Sequence, residues 1–100
     1  RAPLREGTRV GLTALMIPVS RDVPGGEETL IFFDDDRYSA QDGEQMALLS
    51  ERVRTQTALS AGRELLVLAD KRVPHGEVVR FVHLAREAGV QRVHVAEKPE

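Results

Sequence analysis

The run ELLVLA at residues 64–69 is almost continuously apolar, and Pro74 follows it closely to open a helical pattern. A short apolar run bounded by turn residues reads as an interior strand, buried on both faces. Pro74 suits the first turn of a helix, where its missing N–H is not needed. Val78, Val82 and Ala85 then recur at helical spacing, Phe81 and Ala88 widen the stripe, and Gly89 marks its stop. RVHVAE at 92–97 alternates, with Val93 and Val95 on one face and Arg92 and His94 on the other, the pattern of a half-buried strand. A strand, a helix and a second strand in this order close as a right-handed parallel crossover. That unit commits the chain to a sheet with at least one parallel pair, and the remaining strands must find places around it.

Upstream, VGLTALMIPV at 10–19 has β-compatible residues and reaches Pro18. Proline cannot donate to a sheet ladder, so this strand is expected at an edge. SRDVPGGEE at 20–28 reads as a loop. TLIFF at 29–33 reads as a strand, DDD at 34–36 turns the chain, and RYS at 37–39 returns as a short hairpin partner. Asp42 and Gln45 have the spacing of a capping box, and Met46, Leu49 and Val53 place a helix over roughly 43–57. Residues 1–9, RAPLREGTR, read as a linker. The order is β-β-β-α-β-α-β, and two helices cannot cover both faces of five strands. The expected fold is α+β: a two-layer sandwich of an about five-stranded mixed sheet with two helices on one face. One hundred residues hold one such domain, taken here as 10–98.

Composition excludes several function classes. Fourteen basic and 16 acidic residues are interspersed, for a net charge of −2. No basic stripe is present to neutralise phosphates, and one Tyr, three Phe and no Trp leave few platforms for stacking bases. Nucleic acid is therefore not an expected partner. The absence of cysteine rules out a disulfide scaffold, a thiol nucleophile and a Cys-based zinc site. No apolar run approaches the roughly 18 residues that span a bilayer.

The stretch ADKRVPHGEVVRF at 69–81 holds the candidate chemistry. Asp70 and Lys71 stand at the carboxyl end of a buried strand, where open sheets place ligands, and His75 lies just beyond. In the competing reading Asp70 accepts hydrogen bonds from the N–H groups that start the next helix, and Lys71 points into water. A hydrolase or phosphotransferase needs further carboxylates or a hydroxyl converging on Asp70, and the other strand ends supply none. His75 and His83 lie about 12 Å apart along one helix, too far to share an ion, and His94 is on the polar side of its strand. Asp34–Asp36 lack the longer oxygen series and turn glycine of a calcium loop. Neither a phosphate-binding glycine loop nor a nucleophile elbow is present. No catalytic residue, cofactor or metal site is assigned, and the chain reads as a binding or assembly module rather than an enzyme.

The stretch from Glu64 to Pro99 resembles the C-terminal, periplasmic part of the ExbD/TolR family of biopolymer transport proteins. The resemblance rests on the strand Leu65–Leu68, the junction Ala69-Asp70-Lys71 with Val73-Pro74-His75-Gly76, the helix end Ala88-Gly89, and the strand Val93–Ala96. His75 stands where the family often carries tyrosine. TLIFFDDDRYS and the helix after Asp42 are similar to the family's hairpin and first helix, and LTALMIPVSRDVP to the segment after its membrane anchor.

The resemblance implies the periplasmic domain of a single-pass inner-membrane protein whose transmembrane helix, with its proton-carrying aspartate, lies before Arg1. It implies a homodimer held through that helix in an ExbB/TolQ-like channel protein, coupling proton-motive force to a TonB/TolA-like partner for energised transport across the outer membrane. The alternative within the family is a TolR-like module that binds peptidoglycan in envelope maintenance. Outside it stands a small soluble α/β enzyme using Asp70 and Lys71. An extended partner peptide is expected at a sheet edge, with 10–17 and 92–97 as candidates and Val93, His94 and Val95 as contact residues. The motif residues Asp70, Lys71, Val73, Pro74, His75 and Gly76 are expected to form the strand-to-helix corner.

Overall fold

The computed structural model describes residues 11–20 and 25–99. Its strands are β1 (Leu12–Ser20), β2 (Glu27–Phe33), β3 (Asp36–Ser39), β4 (Glu64–Ala69) and β5 (Arg92–Glu97). Helix α1 (Gly43–Ala58) separates β3 from β4, and α2 (His75–Glu87) separates β4 from β5. The five strands form one sheet in the order β3-β2-β1-β4-β5. β1–β2 and β2–β3 are antiparallel, whereas β1–β4 and β4–β5 are parallel. The fold is the expected α+β sandwich with a mixed sheet. The linker expected over residues 1–9 lies outside the described residues.

The placement of β1 corrects the sequence reading. It is not an edge but the central strand, paired with β2 on one side and β4 on the other. Pro18 is tolerated there because of where its ring nitrogen points. The Asp70 N–H donates to the Met16 carbonyl at 2.9 Å, so the even-numbered residues of β1 turn their backbone toward β4. Pairing with β4 stops at Met16↔Ala69, two residues before the proline. The missing N–H therefore falls beyond the end of the ladder, while Ile17 and Val19 keep their pairing with Leu30 and Glu28.

One face of the sheet carries both helices. Ala14, Met16, Ile31, Phe33, Tyr38, Leu65, Val67 and Ala69 all point to that face and are buried against Leu49 and Val53 of α1 and Phe81 and Ala85 of α2. In α2 the buried stripe centres on Phe81, Ala85 and Ala88; Val78 and Val82, expected within it, are only half-buried. They sit on the flank of the helix that overhangs β5. Among the described residues no helix covers the opposite face of the sheet, and Leu15, Ile17, Leu30, Phe32, Leu66 and Leu68 are half-buried there.

Local chemistry sets the joints. Asp42 caps α1, its Oδ1 accepting from the N–H groups of Glu44 at 2.9 Å and Gln45 at 3.1 Å. The return arm of the expected capping box is redirected: Gln45 Oε1 accepts from the Ser39 N–H at 2.7 Å and ties the helix to the end of β3. The β2–β3 turn holds Asp34 and Asp35 at φ 52° and 68°, the left-handed pair of a tight hairpin, which Asp tolerates better than most residues. Arg52 of α1 clasps that turn, 3.0 Å from Asp34 and 3.8 Å from Asp36. Gly89, at φ 112°, ends α2 as expected.

Candidate functional site

The motif residues form the corner between β4 and α2. The Asp70 Oδ1 accepts from the Arg72 backbone N–H and from Arg72 Nε, both at 2.9 Å, and Oδ2 accepts from Arg72 Nη2 at 3.0 Å. The Asp70 carbonyl accepts from the Val73 N–H at 2.9 Å, which closes the turn. This corrects the expectation that Asp70 caps the helix. The cap position of α2 is Pro74, with no side-chain cap bond, and its carbonyl receives Glu77 N–H at 2.9 Å. Asp70 stops short of the helix because its own turn saturates it first.

That geometry bears on catalysis. The Arg72 fork and backbone N–H hold the Asp70 carboxyl well below the usual carboxylate range. Such a group has little proton affinity near neutral pH and makes a poor general base. Lys71 and His75 are exposed. Among the described residues, no three His, Asp or Glu side chains stand where they could hold a metal ion.

Beside this corner lies the β5 edge. Arg92 N–H donates to the Arg63 carbonyl at 3.2 Å, and Lys98 N–H to the Ala69 carbonyl at 2.9 Å. Strand alternation between these two bonds turns the backbone of Arg92, His94 and Ala96 toward β4 and that of Val93, Val95 and Glu97 outward. Among the described residues no strand pairs with that outer side. The other edge, β3, has only four residues and bears exposed Asp36 and Arg37, features that blunt an edge against pairing. Of the two edges proposed from sequence, only 92–97 is an edge.

The side chains of Val93 and Val95 point to the helix face, under the overhang of α2. There Val73, Val78, Val79, Val82, Val95 and Ala96 line an apolar trough of about 490 Å³, with Lys71, His75 and Glu97 at one end. Val79 and Val95 are 51% and 53% exposed, because the trough between α2 and the edge strand stands open to solvent. The trough was not legible as such. Its only signal is that His75, Val79 and Val82 share one flank of α2, about a third of a turn round from the side centred on Phe81. Arg72 was also missed as the partner of Asp70, although the Asp-x-Arg spacing offers the contact. A second cleft of about 590 Å³ opens where β1 outruns β4, and it is polar: Ser20, Glu27, Glu28, Gln41, Arg72 and Glu77 contribute to it.

The chain is thus a two-layer α+β domain with one bare strand edge beside an apolar trough, and with its motif carboxylate locked in a turn. The family model of the biopolymer transport protein ExbD/TolR matches residues 11–100, and the chain belongs to that family. A search of curated proteins finds no match. The family is one of membrane-anchored transport proteins that act in biopolymer transport complexes, not a family of enzymes. No helix among the described residues is long and apolar enough to cross a membrane.

Proposed function

We propose that this chain is the periplasmic domain of a proton-motive-force-driven inner-membrane complex of the ExbB–ExbD kind. Residues 11–99 then form the coupling domain, with the membrane anchor upstream of Arg1. The domain works as a homodimer inside an ExbB/TolQ-like channel assembly and engages an extended segment of a TonB/TolA-like partner. No residue of this chain is assigned proton transfer. The observation that carries the reading is the bare β5 edge next to the α2 trough. An added strand gains main-chain hydrogen bonds from Val93, Val95 and Glu97, and the trough receives alternate side chains. The corner at Asp70–Gly76 is then the scaffold that sets the end of the trough.

The polar cleft between β1 and the β4–α2 corner favours a second reading, the TolR-like module that binds peptidoglycan, because sugar and peptide groups need the hydrogen-bonding side chains gathered there. One experiment separates the two: co-sedimentation with murein sacculi against titration with a linker peptide of a TonB-like protein. The first reading requires saturable peptide binding with amide shifts along β5. Retention on sacculi without peptide binding supports the second, and neither behaviour in folded protein removes both.

A further inference from the structure

The β5 edge also carries information about which strand it accepts. Building on the edge-binding reading above, we infer that the β5 edge selects an extended segment in which apolar residues alternate with acidic ones. Side-chain parity and charge lead to this choice. A strand added to β5 places the residues opposite Val93 and Val95 on the helix face, where they meet the valines of α2. Those positions call for small or β-branched apolar side chains. The intervening residues lie on the open face of the sheet, opposite Arg92, His94 and Ala96.

On that open side β5 contributes one cation, Arg92, and no carboxylate. Arg92 is held by Glu64 of β4 at 2.8 Å, yet its side chain is still 64% exposed and within reach of a neighbour on its other side. His94 is exposed, and Lys98 follows the strand. The single carboxylate of β5, Glu97, belongs to the helix face. Asp70, the nearest carboxylate at the corner, is already gripped by Arg72. Opposite-charge pairs across strands are stabilising and like-charge pairs are not, so acidic residues fit the open-face positions and basic ones do not.

The same bookkeeping argues against a second copy of β5 as the occupant. Antiparallel self-pairing must set outward residues against outward residues, and the two registers centred nearest the middle of β5 are Val93 against Val95 and Val95 against itself. The first register stacks His94 on His94, and the second sets Arg92 opposite Lys98. A different chain with the alternating acidic pattern meets neither conflict.

The test uses the full chain and three fluorescein-labelled eight-residue peptides, alternating valine with glutamate, with lysine or with serine. Binding is read by anisotropy at low salt, and the contact surface by amide shifts. The valine–glutamate peptide is expected to bind about tenfold tighter than the valine–lysine peptide, the outcome of two cross-strand charge pairs, to Arg92 and Lys98. His94→Glu, a change at an exposed position, should narrow or reverse that ratio while leaving the fold intact by circular dichroism. Equal affinities with shifts on β5 would overturn the acidic selectivity and leave the edge reading standing. Absence of binding by all three peptides to folded protein would remove the edge reading as well. Tight binding with shifts confined to the polar cleft would overturn both.

Discussion

Arg72 holds Asp70 from two directions at once, with its guanidinium fork on both carboxylate oxygens and its own backbone N–H on one of them. The pair is local, two residues apart, and it fixes the turn on which the family motif is built. Asp70→Ala should lower the melting temperature by a few degrees, because the Arg72 N–H and the turn lose their acceptor. Asp70→Asn, which keeps an acceptor for the N–H, should lose less. A melting temperature unchanged in both would mean that the turn holds itself and that Asp70 serves another purpose.

The same pair predicts a response to acid. The Asp70 carboxyl is depressed in the folded state, so its contribution is present above the unfolded value near 3.8 and is lost as pH falls below that toward the folded value. Acid titration of the wild type should show a loss of stability beginning near pH 4 that is larger than in Asp70→Asn. Parallel curves for the two proteins would contradict the assignment.

Prolines at adjacent positions of β5 should have opposite consequences. His94 N–H faces β4, so His94→Pro removes a ladder bond inside the sheet and should cost about 1–3 kcal/mol. Val95 N–H faces outward, so Val95→Pro should leave a folded domain and abolish pairing with an added peptide. Denaturant melts and peptide titration of the two variants read the difference directly. Peptide binding retained by a folded Val95→Pro would remove the β5 edge from consideration.

Gly11 precedes β1 where the chain passes close to β4. A Cβ there would stand 2.7 Å from the Glu64 carbonyl oxygen, a backbone atom that cannot swing aside. Gly11→Ala should therefore destabilise by about 1–3 kcal/mol, the cost of overpacking. Gly76→Ala, with open space around it, is the control and should be close to neutral or slightly stabilising. Urea midpoints of the two variants check this.

Tyr38 is the single tyrosine of the chain, and it is 6% exposed. Burial pushes its phenol above the usual 10.0, and Asp36 and Asp34 add to the rise against the opposing pull of Arg52. A raised pKa means stability that is full below pH 10 and lost as pH climbs through the folded value. Absorbance at the tyrosinate band should therefore titrate with a midpoint above 10. Tyr38→Phe should resist alkaline unfolding to a higher pH. A midpoint at or below 10 would show the ring to be solvated.

The sequence by itself determined the elements and most of the joints of this protein. Those features depend on short-range chemistry: the apolar run Leu65–Leu68, the Asp42 cap, the left-handed Asp34–Asp35 turn and the Gly89 stop are all written within a few residues of where they act. Asp70 was legible as a structural residue for the same reason, though its partner proved to be Arg72 in its own turn rather than the helix behind it. Strand order was decided only by the tertiary structure. Pro18 looks like an edge signal until β4 is seen to stop at Ala69, and that stop depends on a segment some fifty residues away in sequence. The trough was equally hidden. Val78 and Val82 read as core from periodicity and are only half-buried, and Val95, read as the inward face of its strand, is 53% exposed, because the space between α2 and the edge strand is left open. Periodicity tells which residues share a face; only packing decides whether anything lies against it.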